Sequence, residues 1–218
     1  SVSGDTSTGT YNQLGGNTTL SGNLDATTYN LSGGTTTTNG SLSAQTFNQS
    51  GGSSTVNGTL TATDYVQSNG TTSVSGNLTT TNMTLTGGTT DALSNLTVSG
   101  TLDQVSGNLS VTGDTSAGTY NQLGGNTTLS GNLDATSFNQ SGGSSNINGS
   151  LTATDYIQSN GTNSVTGNLT TTNMTLTGGT TDALSNLSVS GTLDQVSGNL
   201  SVSGDTSTGT YNQLGGNT

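Results

Sequence analysis

Apolar residues recur along this chain in a fixed phase. Lines begun at the second Gly of each Gly-Gly or Asn-Gly pair come out nearly equal: GNTTLSGNLDATTYNLSG from Gly16, GTTTTNGSLSAQTFNQSG from Gly34, GSSTVNGTLTATDYVQSN from Gly52 and GTTSVSGNLTTTNMTLTG from Gly70. Each line holds eighteen residues, and four columns of the alignment are restricted in type. Column five carries Leu20, Val56, Val74, Val111, Leu129, Ile147 and Val165, with Thr38 as a polar exception. Column nine is leucine in most lines, from Leu24 to Leu187, and column eleven is small or β-branched, as in Ala26, Ala44, Thr80 and Val98. Column fourteen is large: Tyr29, Phe47, Tyr65, Met83, Leu102. A short period held by apolar columns is the mark of stacked repeats rather than of one closed core.

Columns five, nine and eleven share one parity, as a strand with alternating faces requires, whereas column fourteen has the other. The phase must therefore change at a corner near columns twelve and thirteen, and again at the glycine boundary. Glycine at column seven (Gly22, Gly58, Gly76) predicts a third bend, and Gly and Asn, which tolerate positive φ, are the expected corner residues. The lines from Gly88 and Gly179 have nineteen residues; placing Gly100 and Gly191 as insertions restores the register and predicts a bulge or loosened corner at each. The fold class predicted is all-β, a parallel β-solenoid of 18-residue coils with an occasional 19-residue coil, triangular or flattened in cross-section. Residues 1–218 read as one continuous solenoid region of about twelve coils. Four apolar side chains contribute roughly 1.5–3 kcal/mol each when buried, while ordering each backbone residue costs about 1–2 kcal/mol. A single coil cannot fold alone, so stability must accrue by stacking at about 4.8 Å per coil.

Composition fits this picture and excludes most others. Only 25% of residues are hydrophobic and 35 are Gly, with no Lys, Arg, His, Pro, Cys or Trp. Such polar chains are often disordered; the restricted columns argue against that here. The eleven acidic residues are all Asp, giving a net charge of −11. Nucleic acid and anionic membrane surfaces are not expected partners, because binding them depends on Lys and Arg. Two like charges stacked at the coil spacing would repel by about 0.9 kcal/mol in water. No column carries Asp in successive lines. No apolar run is long enough for a transmembrane helix or signal peptide. Absent cysteine excludes disulfides and thiolate metal sites.

The alphabet is poor in catalytic groups. Without His, Cys, Lys, Arg or Glu the usual general bases and cation clamps are missing, and no catalytic residue, cofactor, metal site or small-molecule substrate is expected. Neither the calcium-binding nonapeptide repeat nor an EF-hand loop occurs, so each carboxylate reads as an isolated surface Asp. Asn30, Asn57, Asn77 and Asn168 open N-x-S/T triplets, mostly by composition. Column sixteen is often Gln (Gln13, Gln49, Gln67, Gln122, Gln140, Gln158), readable as a partly buried amide ladder or as a solvated edge. Thr61–Thr63 and Thr79–Thr81 have the Thr-x-Thr form of ice-binding solenoids, but the equivalent positions Asp25 and Thr27, Ser43 and Gln45, and Ser116 and Gly118 break the ranks.

A second level of order lies above the coil. Residues 1–33 nearly match 110–142, and 52–109 nearly match 143–200, offsets of six and five coils. A shaft tolerates whole-coil gains and losses; an active site does not. Residues 1–18 recur as 201–218, which predicts a window on a longer chain repeating every 200 residues. The phrases VSGNLTTTNMTLTGG, LSVSGTLDQVSGNLSVSG and VNGTLTATDY resemble the Gly/Ser/Thr/Asn-rich repeats of bacterial surface adhesins, extracellular filaments and phage tail-fibre shafts. The resemblance implies an extracellular or cell-surface structural role, with self-association by stacking, bundling or trimerisation, and carries no functional residue across. The expected function is the non-catalytic shaft of a filament, adhesin or matrix fibre, the alternatives being an ice-binding solenoid or a trimeric tail-fibre shaft.

Overall fold

The computed structural model describes all residues, 1–218, as a parallel β-solenoid of 21 strands with no helix. Most coils contribute a four-residue strand such as Thr35–Thr38 and an eight-residue strand such as Leu42–Gln49, while Leu169–Ala183 and Leu187–Val202 each run through a long and a short segment without a break. Short strands pair with short and long with long, always parallel and one coil apart: Thr35 faces Ser53, and Leu42 faces Leu60. The corners join the ladder as well, since Gly58 N–H donates to Gly40 O and Gly76 N–H to Gly58 O, both at 3.0 Å. No part of a coil is therefore a free loop, and the backbone is hydrogen-bonded around the full circumference.

Inward side chains fall in three pairs per coil. In the coil from Gly52 they are Ser54 and Val56, Leu60 and Ala62, and Tyr65 and Gln67, all buried. The long strand changes phase between its second and third inward residues, so the corner expected at columns twelve and thirteen is a bend inside a continuous strand. Where column eleven is Thr the bend is tied from within: Thr80 Oγ1 donates to Thr63 O and Asn82 O at 3.1 and 2.8 Å, and Thr171 repeats this at Thr154 and Asn173. The expected third bend at column seven lies between the short and long strands, as at Ser21-Gly22. Three inward pairs separated by three corners correspond to the three-sided coil rather than the flattened one.

The left-handed corner differs from expectation in one respect. Every residue with positive φ is Gly, and no Asn adopts it. The reason is axial: a Cβ at Gly125, φ 75°, would sit 2.3 Å from Gly107 O of the coil before. Gly100 and Gly191 are the predicted insertions. Val98 pairs with Thr80, 18 residues back, whereas Leu102 pairs with Met83, 19 back; the shift recurs between Thr171–Val189 and Met174–Leu193.

Three buried hydroxyls stand in apolar columns without partners, Thr38 Oγ1 in column five and Thr6 Oγ1 and Thr115 Oγ1 in column nine. Replacing an unpaired buried hydroxyl by a methyl of the same shape removes a desolvation cost of about 1–3 kcal/mol. Thr38→Val and Thr115→Val should each raise the denaturation midpoint by the equivalent of about 1 kcal/mol, with an unchanged denaturant slope. Midpoints at or below the parent's would show that these hydroxyls are not stranded.

Candidate functional surface and the buried polar spine

Two inward columns are polar, and they are the ones that periodicity alone did not assign. Column three is buried at Thr36, Ser54, Thr72, Thr90 and Thr127, as is the glutamine column from Gln13 to Gln195, including Gln104 and Gln195 of the bulged coils; Gln213 in the last coil is exposed. The solvated-edge reading of the glutamines is thereby excluded. Most of the amides bridge two later segments of chain, as Gln13 Nε2 donates to Gly16 O and Thr35 O at 2.9 and 2.8 Å; Gln140 instead donates back to Gln122 and forward to Thr162 O. Gln13 Oε1 accepts from Tyr11 and Thr36 at 2.7 and 2.5 Å. Gln49, Gln67 and Gln158 likewise accept from Thr72, Thr90 and Thr181. An amide-to-amide ladder occurs only along Gln122, Gln140 and Gln158, at 3.1 and 3.0 Å.

Polar residues in this spine come as matched sets. Tyr120 Oη donates to Gln104 Oε1 at 2.6 Å, Thr127 Oγ1 donates to the same oxygen at 2.5 Å, and the amide donates to Gly107 O and Asn126 O. Where the large residue is Met83, column sixteen is Leu85 and the column-three position paired with it is Leu109; Met174, Leu176 and Leu200 repeat the exchange. Mixed groups occur as well, Tyr29 bonding to Ser54 beside Leu31 and Gln49 to Thr72 beside Phe47; each of these polar groups keeps a partner, since a buried donor or acceptor without one costs about 1–3 kcal/mol. The aromatic column packs face to face from Tyr11 through Tyr29 and Phe47 to Tyr65, with centroids 4.7–5.1 Å apart. Tyr120, whose hydroxyl turns back to Gln104 of the preceding coil, meets Phe138 edge-on instead.

Burial pushes the Tyr29 and Tyr156 phenols up to about 12, hydrogen bonds from their hydroxyl and amide neighbours pulling partly the other way. Tyr65 and Tyr120 are driven in the same direction by the same desolvation.

Outside, the rungs are stitched by a corner column in which Asp, Asn, Ser or Thr stands at every turn. At column eight the side chain accepts the backbone N–H of its successor: Asp5 from Asn23 at 2.7 Å, Asn23 from Ser41 at 2.8 Å, Asn95 from Asp114 at 2.9 Å and Asp114 from Asn132 at 2.8 Å. The signal was present in the sequence as that restricted alphabet. Asn12, Asn30 and Asn48 form a second ladder at 2.8 and 3.0 Å. Of the triplet asparagines, Asn77 and Asn168 hold the corner and Asn57 donates to Asn39, so these amides are engaged between coils. The aspartates lie apart, paired across the rungs with neutral groups, as Asp64 with Thr46 and Asn82. No group of three or more acidic side chains converges.

The largest of three depressions is an open trough of about 750 Å³ along the axis, floored by Ala26, Ala44, Ala62 and Thr80 and walled by the outward residues on either side. Thr61, Thr63, Thr79 and Thr81 are all in its walls. It runs up to Ser99, beside the Gly100 bulge, and a shorter trough on Thr152, Thr154, Thr170 and Thr172 runs likewise to Ser190, beside Gly191. No family model, curated protein or solved structure matches the chain.

Gln104→Leu should cost about 2 kcal/mol, because it removes the acceptor of both hydroxyls and leaves Tyr120 and Thr127 only each other as partners. Adding Tyr120→Phe and Thr127→Val should recover most of that loss; equal destabilisation of the single and triple variants in urea melts would refute the matched-set reading. For the tyrosines the folded pKa is raised, so the folded state retains protons that the unfolded chain gives up above pH about 10. Stability should be independent of phenol ionisation below that pH and fall as pH rises through about 12. Phenolate absorbance of the buried tyrosines should appear together with loss of the β-sheet circular dichroism, and ionisation near pH 10 with the fold intact would contradict it.

Proposed function

We propose that this chain is the non-catalytic shaft of an extracellular filament, adhesin or matrix fibre, holding other parts away from a surface or building a matrix. The observation that carries the reading is the uninterrupted rung-to-rung ladder, in which each coil is stabilised by its neighbours along one axis and the structure extends by repetition. Its outward faces are hydroxyls and amides, which keep a rod hydrated, and the net charge of −11 favours solubility. A chain without Lys or Arg also offers no site to trypsin-like proteases, which suits exposure outside a cell.

Mass per length measured by electron microscopy should give one chain of 21.4 kDa for every 55–60 Å or so of rod, with a rung reflection near 4.8 Å in fibre diffraction. Three chains over that length would replace the single-chain shaft by a trimeric fibre. Antibody labelling of intact cells should decorate the surface; label reaching the protein only after permeabilisation would overturn the extracellular placement.

The threonine-walled trough favours a second reading, ice binding, since it sets two rows of hydroxyls at the rung spacing on either side of a shallow floor. Asp25 and Gln45 in the same walls interrupt the rows. Inhibition of ice recrystallisation at micromolar protein would support that reading, and grain growth equal to buffer would remove it.

A further inference from the structure

The chain is hydrophilic outside, yet a small set of aliphatic side chains projects into solvent from its corners and outer faces. Val66, Leu93, Val105, Ile157, Leu184 and Val196 are each exposed by 36–53%. Each of these six follows an aspartate by two residues, Asp64, Asp91, Asp103, Asp155, Asp182 and Asp194; the other exposed aliphatics, Val2, Leu14, Leu123 and Leu214, do not. Asp64 and Val66, Asp155 and Ile157, and Asp194 and Val196 are alternate residues of one strand and share its outer face, while Leu93, Val105 and Leu184 stand at the corner one residue past the strand that carries Asp91, Asp103 and Asp182. Six of the eleven aspartates are accounted for in this way. The bulged coils concentrate the feature, because each bears two such pairs on two different corners. In the coil of Gly100 they are Asp91–Leu93 and Asp103–Val105; in the coil of Gly191 they are Asp182–Leu184 and Asp194–Val196. On the rung after Val105, Leu123 enlarges the first of these patches, 52% exposed.

We propose that the two bulged coils are lateral docking stations for a second copy of this shaft, held apart by the carboxylates beside each aliphatic contact. The proposal rests on the rod architecture of the preceding section, not on its extracellular placement. A single exposed leucine or valine is too small a contact to hold a globular partner. Two rods aligned side by side meet at every station at once, and weak contacts sum when they are tethered along the same axis. The stations lie 91 residues apart, five rungs or roughly 24 Å. A second copy matches that spacing by identity, and the Ser, Thr and Asn faces between stations can donate and accept hydrogen bonds to their own kind. Because each bulged coil offers two corners, a shaft can engage neighbours on two sides, which builds a bundle rather than a closed dimer.

The carboxylates act as the gate. Across the rungs Asp91 faces Ser73 and Ser110, and Asp103 faces Thr84 and Asn121. Asp182 faces Ser164 and Ser201, and Asp194 faces Thr175 and Asn212. No charged group offsets any of them, and the chain has no cationic side chain to do so. Bringing two stations together therefore brings like charges together, a repulsion that reaches about 30 Å at 0.01 M salt and about 3 Å at 1 M. Charges set beside exposed apolar strand residues are a common device against edge association; here their removal by screening exposes the contact.

Multi-angle light scattering tests this on the full chain. The parent should run as one chain at about 0.01 M salt and gain mass at about 1 M. The Asp91→Asn, Asp103→Asn, Asp182→Asn, Asp194→Asn variant should associate already at low salt, to at least about twice the mass of one chain. Adding Leu93→Ser, Val105→Ser, Leu184→Ser and Val196→Ser should return it to one chain at the same salt. All eight positions are on the surface, and unchanged circular dichroism checks the fold. An asparagine variant that stays single up to 1 M salt overturns the proposal, as does one whose association survives the serine changes. A parent that is already three chains at low salt, with or without the serines, refutes instead the single-chain shaft.

Discussion

Each coil of this protein hydrogen-bonds to its successor around its whole perimeter, at a sequence separation of 18 or 19 residues. That pairing fixes which residues can meet. A side chain's main neighbours are the same column one rung away on either side, so every column is a stack of like on like along the axis. Tyrosine then meets phenylalanine at 4.7 Å, asparagine meets asparagine at 2.8 Å, and aspartate meets a neutral group at each place. The corner glycines follow from the same constraint. A side chain there would collide with the carbonyl of the coil beneath, as at Gly34, where a Cβ would lie 2.1 Å from Gly16 O. Their requirement is for room along the axis as much as for a left-handed backbone.

A narrow interior has its own rule. With three inward pairs per coil there is no depth in which a polar group can be diluted, so a glutamine in the core must have every bond satisfied by the adjacent strands. The spine achieves this with amides, hydroxyls and phenols that bond to one another from rung to rung, and where Met83, Leu85 and Leu109 meet the group is apolar throughout. The one-residue insertions at Gly100 and Gly191 are absorbed because the ladder resumes its spacing within two or three residues on either side. A stack of this kind tolerates gain or loss of whole coils, in keeping with the internal duplications, while it penalises changes inside one coil.

Function on such a scaffold belongs to the outer surface and to length. The outward positions are released from packing, and what they carry is mainly hydration, with interruptions: corner acceptors that close the rungs, threonine rows along a trough, and carboxylates beside aliphatics. The proposed role as a shaft draws on the first of these. The proposed docking stations draw on the last, and they fall on the coils that the bulges already set apart.

The eighteen-residue period, the parity of columns five, nine and eleven against fourteen, the bulges at Gly100 and Gly191 and the separation of the aspartates were all legible in the chain, because a one-dimensional stack maps sequence separation directly onto spatial neighbourhood. The polar columns were legible only in part: the glutamine column stood between a partly buried ladder and a solvated edge, and column three was not assigned. Thr36, Ser54 and Gln104 look like surface residues by composition, and only the folded coil shows that they are buried, since a hydroxyl's burial is decided by whether an acceptor such as Gln13 Oε1 comes within reach from another rung. The choice of three sides over two was also decided in three dimensions, by where the inward pairs and bends fall around the coil, and so was the restriction of left-handed corners to glycine, because the carbonyls of one coil crowd the next.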